Sequence, residues 1–222
     1  MAIKGIFFDA ADVFYERDEP TASFVRQLLT ERGYSNQLSA EEQACQQVLN
    51  HQANGGLVSP GTYWNEVLKM HGVDAPQERA LMIEKIMSHA NKIHAIPGGR
   101  ETLVALKQRG FLLGIITDTI YPLEWKMGWL EQVGVAEFID VIACSSTLGV
   151  HKPDPAIYLN AVQKANLTAA ESAFVGHDAG ELEGARQVGL ATVAVLYDPH
   201  AQADHYAETL PDLLNVPIFQ AC

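Results

Sequence analysis

A chain of 222 residues, 48% of them hydrophobic, is long enough to bury one sizeable core, or a core with a smaller lobe. Lys and Arg number 15 against 27 Asp and Glu, a formal net charge of −12. So acidic a surface repels phosphate backbones and anionic bilayers at long range, which argues against a nucleic-acid or membrane partner but leaves room for a small local anion pocket.

Residues 3–8 form a short, mostly apolar run that reads as a buried strand, ended by Asp9, with Asp12 three residues on. Neither a signal peptide nor a membrane span fits this start. Three cysteines, Cys45, Cys144 and Cys222, lie far apart with no CxxC spacing. Reduced thiols and a cytoplasmic location are expected.

From about 15 to 95 the pattern is helical. EPTASFVRQLLTERG carries Phe24, Leu28 and Leu29 at helical spacing, with Gly33 as its stop. SAEEQACQQVLNHQ opens with Ser39 and has Glu42 three residues later, a capping box. SPGTYWNEVLKMHG and APQERALMIEKIMSHANKIH read as two more helices. From residue 96 helices and strands alternate: a helix closed by Gly110, a strand in FLLGIIT, a helix at 122–132, a strand in FIDVIAC, a helix at 154–165, a strand in SAFVG, a helix at 180–188 and a strand in ATVAVLY. Such alternation argues for an α/β fold, a Rossmann-like parallel sheet. The helical stretch after the first strand is too long for a loop and is expected to be an inserted α-helical cap domain, 15–94, with the core formed by 1–14 and 95–222.

Ligands in such sheets bind beyond the carboxyl ends of the strands. Those ends offer Asp9, then Thr117 and Asp118, then Lys152 in GVHKPDPAIY, then His177 and Asp178 in FVGHDAGELEG. Carboxylates around a crevice suit Mg²⁺, a lysine and a hydroxyl suit phosphate oxygens, and an Asp beside such a cation can act as a nucleophile.

Four elements in order, FFDAADVF, IITDT, HKPDPAIY and FVGHDAGELEGARQVGLAT, resemble those of the haloacid dehalogenase superfamily, over essentially the whole chain. The resemblance implies that Asp9 is the nucleophile, that Thr117 binds a phosphoryl oxygen, and that Lys152 neutralises charge between the two. Thr117, Asp118 and Lys152 are the candidate substrate-binding groups. Mg²⁺ would be held by Asp9, the backbone carbonyl of Ala11 and Asp178, with His177 or Glu181 as other candidates for the group that the fourth element supplies.

One position departs from the family pattern. Its phosphatases read Asp-x-Asp-Gly-Thr, whereas here Asp9 is followed by Ala10, Ala11, Asp12 and Val13. Ala11 stands where the general acid/base belongs, and a positioned acid/base contributes about 10²–10⁴-fold. Asp12 replaces it only if the loop re-aims its side chain. Phosphonoacetaldehyde hydrolases carry Ala there but need a lysine early in the cap, where none of Lys69, Lys85 and Lys92 lies. Haloacid dehalogenases carry Tyr there and use no metal, and the arginine with which their cap binds a carboxylate has no counterpart in this chain.

The expectation is a Mg²⁺-dependent hydrolase of a small phosphorylated metabolite, slow on alkyl phosphates, working as a monomer or homodimer. The alternatives are a catalytically silent protein that binds an anion or a partner, and a metal-independent 2-haloacid dehalogenase. The cap histidines His51, His71, His89 and His94 lack metal spacing. Trp64, Trp125 and Trp129 read as packing residues, and Tyr121 as pocket lining or packing.

Overall fold

In the computed structural model, which describes residues 2–220, the run that ends at Asp9 forms strand β1 (Gly5–Phe8), buried along its whole length. The chain then turns through β2 (Tyr15–Glu16) into four helices, α1 (Thr21–Glu31), α2 (Ala40–Asn54), α3 (Pro60–Met70) and α4 (Pro76–Ala90), and returns through β3 (His94–Ala95). Helix α5 (Gly99–Gln108), strand β4 (Leu112–Thr117), helix α6 (Leu123–Gln132) and strand β5 (Val141–Cys144) follow. The short α7 (Ser145–Leu148) leads to α8 (Pro155–Lys164), β6 (Ser172–Gly176), α9 (Ala179–Gln187), β7 (Ala191–Val195) and β8 (His205–Ala207).

Six strands form one parallel sheet in the order β5-β4-β1-β6-β7-β8. Alternate side chains of β1 serve the two faces: Ile6 and Phe8 join one apolar cluster, Phe7 the other. Phe8 pairs with Ile115 of β4 and with Val175 of β6. Asp9 therefore emerges between two flanking strand ends, where the strand order reverses and a crevice opens.

The four-helix unit has an apolar cluster of its own, built on Leu29, Trp64, Val67, Leu68, Met82 and Ile86. Helix α2 starts at the expected capping box, with Ser39 accepting from the Glu42 amide. The two chain crossings between the units are tied by β2 pairing antiparallel with β3, two residues each and without a period that sequence reading can detect. A second tie lies at the far side of the seam. His151 Nε2 and His51 Nδ1 share a hydrogen bond of 2.7 Å. Beside it Gly56, at φ +71°, lies so close to the Ser146 carbonyl that a Cβ would collide.

Cys45 is exposed and Cys144 buried, both as free thiols. Cys222 lies outside the described residues. Among those residues no helix is long and apolar enough to cross a membrane.

Candidate active site

Asp9, 5% exposed, is fixed at the end of β1 by its amide, which donates to the Val175 carbonyl at 2.9 Å. Lys152, 4% exposed, reaches it from the loop before α8. Its Nζ donates to Asp9 Oδ1 at 2.6 Å and to Glu181 Oε2 at 2.8 Å. The loop is held from two sides. Asp118 takes the Lys152 backbone N–H on its carboxylate. Helix α9 lies against Pro153 at Gly184, where a Cβ would come within 2.7 Å of the proline ring.

Burial opposes ionisation of Asp9, but the charges of Lys152 and Lys126 outweigh it and hold the carboxyl below its ordinary range. Burial also opposes the charge on Lys152, and there the Asp9 and Glu181 carboxylates win, raising its affinity for a proton. Glu181 takes the opposite course. Burial first, then the Asp9 charge, push it up to about 8. Of two carboxylates sharing one lysine, Asp9 stays ionised and Glu181 is the one that protonates. Burial raises Asp118 as well, against the pull of Lys152.

Thr117 is the last residue of β4, and its Oγ1 is buried with no hydrogen-bond partner among the described residues. The same holds for His177 Nδ1, 3.9 Å from Asp9 Oδ2. Buried polar atoms are nearly always bonded. A hydroxyl and an imidazole nitrogen, neither bonded among the described residues, thus line the crevice at the ionised Asp9 carboxylate.

The remaining expected site residues fall as follows. Ala11 lies in the turn after Asp9 and bridges to Tyr15, and its methyl brings no acid. Asp12 takes the left-handed region at φ 58°. That backbone leaves its side chain 64% exposed, with Oδ2 4.0 Å from His177 Nε2. Asp178 is the N-cap of α9, its Oδ1 accepting from the Glu181 amide at 2.9 Å. From this loop, then, it is His177 and Glu181 that stand against Asp9 and Lys152, because α9 begins at Ala179 and its first turn aims residue 181 back at the sheet. Asp118 is occupied in positioning Lys152. The cap histidine His89 bonds the Glu19 carbonyl through Nε2 and stacks its ring on Phe24, and His51 ties to His151 across the seam.

Lys126 was not among the sequence candidates. It is 4% exposed, donates to the Tyr15 hydroxyl at 2.9 Å and lies 5.5 Å over the Trp129 ring. Its position three and four residues before Trp129 and Leu130 puts it on the buried face of α6, and that spacing is the signal that marks it.

The oxygen donors suit Mg²⁺. Asp9 Oδ2 and the second Asp178 oxygen carry no hydrogen bond among the described residues, and a backbone carbonyl is available at Ala11; hard oxygens with room left for water are what the ion takes. Among the described residues no three acidic, histidine or cysteine side chains converge as a metal cluster.

A family model described as haloacid dehalogenase-like hydrolase matches residues 6–195. A glyceraldehyde 3-phosphate phosphatase of Methanopyrus kandleri is 25% identical over 203 residues, 87% of this chain and 84% of that protein. Its namesake in Pyrococcus furiosus is 32% identical over 133 residues, and the match spans about half of each protein, 56% of this chain and 55% of the relative. Among solved structures, one described as a dehalogenase superposes with a TM-score of 0.68 at 21% identity, covering 99% of this chain and 98% of its own. That likeness establishes the fold alone.

Proposed function

The chain belongs to the haloacid dehalogenase-like hydrolases, and we propose that it hydrolyses a small phosphorylated metabolite through an acyl phosphate formed on Asp9, from which water then releases phosphate and frees the carboxylate. The observation that carries this reading is the buried, ionised Asp9 held 2.6 Å from the Lys152 ammonium, with the Thr117 hydroxyl at the neighbouring strand end unbonded among the described residues. An ionised carboxylate in a water-poor crevice is a nucleophile. Lys152 and Thr117 are disposed to take the oxygens of a phosphoryl group as charge develops on them. The phosphatase names of the relatives support the substrate class.

Asp9, the Ala11 carbonyl and Asp178 would hold Mg²⁺. When bound, the ion adds positive charge at the phosphoryl oxygens and draws nucleophile and substrate together. Asp9 attacks phosphorus in line with the leaving oxygen, and Lys152 keeps the carboxylate aimed. Glu181 shares Lys152 and holds the ammonium from the other side. The four-helix unit serves as a cap that closes the crevice from water.

Ala11 narrows the substrate range. No acid stands at that position to protonate an alkoxide leaving group, so acyl and aryl phosphates, which leave as stable anions, turn over faster than alkyl phosphates. The test is phosphate release from acetyl phosphate and p-nitrophenyl phosphate with Mg²⁺, in wild type and Asp9→Asn. Activity in wild type and at least about a 10³-fold loss in the variant are expected. An inert wild type on both substrates overturns the reading in favour of a silent binding protein.

A second reading rests on the same alanine. A halide leaves without a proton, so Ala11 costs a dehalogenase nothing at that step. Chloride release from 2-chloropropionate without metal distinguishes this outcome.

A further inference from the structure

We infer that His51 of the four-helix unit and His151 of the core form a latch that couples closure of that unit to the loop carrying Lys152, and that a second proton on the pair releases it. The inference rests on the reading of the four-helix unit as a cap and adds to it the side chains that hold it shut.

His51 lies in the last turn of α2. His151 directly precedes Lys152 in the loop between α7 and α8. Their facing nitrogens, His51 Nδ1 and His151 Nε2, are 2.7 Å apart, with the rings edge-on and their centroids 4.7 Å apart. Among the described residues this is the one side-chain hydrogen bond that joins helices α1–α4 to the core. The two backbones meet at the same point. A Cβ on Gly55 would come within 3.2 Å of the Gly149 carbonyl, and one on Gly56 would collide with the Ser146 carbonyl. The chain itself crosses between the units at β2 and β3, two residues to a strand, a connection short enough to act as a hinge.

The other nitrogen of His151 ties the latch to the catalytic loop. His151 Nδ1 lies 2.8 Å from the Lys152 carbonyl. A carbonyl only accepts, so Nδ1 carries a proton. In the neutral ring Nε2 is then the acceptor, and it takes the Nδ1–H of His51. Lys152 is thus held at both ends of its backbone: Asp118 takes its N–H, and the His151 ring donates to its carbonyl. Closure of the cap fixes that ring, and the ring steadies the residue whose ammonium aims Asp9.

One proton leaves the latch intact, because a His51 imidazolium still donates its Nδ1–H to His151. A second proton removes the acceptor. N–H then faces N–H, with like charges at hydrogen-bond distance. On the core side the neighbouring charges are the Lys152 ammonium, shared between Asp9 and Glu181, the Asp118 carboxylate on the Lys152 amide, and Asp154, whose carboxylate caps α8 through the Ala156 amide. The last two turns of α2, and α7 opposite them, contain no Asp, Glu, Lys or Arg. Among the described residues no carboxylate bonds to either ring. Imidazoles exchange protons between roughly pH 5 and 8, and two that share one hydrogen bond take the second proton at the acid end of that range.

The experiment is small-angle X-ray scattering of the full chain at pH 7.5 and 5.0, with phosphate release from p-nitrophenyl phosphate and Mg²⁺ at the same two values. The wild-type radius of gyration is expected to rise at pH 5.0 above the roughly 17 Å of a compact chain of this length. His51→Gln has a neutral amide that donates or accepts, so it meets His151 in either protonation state and is expected to stay compact at both values. His51→Leu is expected to be expanded at both. Wild type is expected to lose several-fold more kcat/KM than His51→Gln on acidification, through KM, as the closed fraction falls. A wild-type radius that does not change overturns the inference. Expansion of His51→Gln equal to that of wild type overturns the assignment to this pair. A shared pH profile of kcat/KM in the two proteins overturns the coupling to Lys152. An inert wild type overturns the hydrolase reading instead, and the scattering still decides the latch.

Discussion

Lys152 Nζ stands 2.6 Å from Asp9 Oδ1 although 143 positions separate the two residues in the chain. With Glu181 on its other side at 2.8 Å, the lysine ammonium sits between the buried Asp9 carboxylate and the part-buried one of Glu181. Lys152→Met leaves both carboxylates without their counter-charge. Breaking a buried pair from one side costs about 3–5 kcal/mol. A loss of that size in urea unfolding at pH 8 is expected. Lys152→Arg restores little of it, because the planar guanidinium does not fit a site shaped round a compact ammonium.

Ala11→Asp tests the leaving-group argument. The variant places a carboxyl at the vacant acid/base position, and a gain of about 10²-fold in kcat is expected on an alkyl phosphate. Acetyl phosphate, whose leaving group needs no proton, gains only through the water step that the same carboxyl assists. No gain on the alkyl phosphate refutes the assignment of Ala11 as the missing acid/base.

Glu181 gives the stability a pH dependence of known sign. Its carboxyl titrates at about 8 in the folded chain against an ordinary value of 4.5. A group raised by folding contributes fully below its unfolded value, and that contribution is lost as pH climbs through the folded one. Wild type is therefore expected to lose stability relative to Glu181→Gln between about pH 4.5 and 8, by a few kcal/mol at most. Urea melts of both proteins at pH 5 and pH 8 read the difference directly. A difference that is flat with pH rules out the raised carboxyl.

Lys126 acts on Asp9 through its charge rather than by contact. Its ammonium helps to keep the nucleophile ionised, and its one hydrogen bond goes to the Tyr15 hydroxyl. Lys126→Met keeps the volume and removes the charge, so the affinity of Asp9 for a proton rises. The acid limb of the pH–rate profile then moves to higher pH, and the plateau rate changes little. A limb that stays in place refutes a role for this charge.

The chain pattern by itself carried the architecture. Alternating helices and apolar runs ending at Asp9, Thr117 and Gly176 are local features, and local periodicity is enough to place strand ends at a common rim. The same logic made Asp9 and Thr117 legible at their strand ends, while Lys152 was marked by the proline frame of the loop that leads into α8. The β2–β3 pairing was not legible, because two-residue strands have no period to detect. Neither were the separate tasks of the carboxylates. Reading Asp178, Asp118 and Glu181 as acids near a strand end cannot tell which one caps a helix, which holds a loop amide and which shares the lysine. Burial and the direction of a side chain decide that, and both arise only when distant segments pack. Lys126 is the clearest case. Its spacing before Trp129 and Leu130 marks a buried face of α6, but only the packing of that helix against β2 sets its ammonium on the Tyr15 hydroxyl and brings its charge to bear on Asp9.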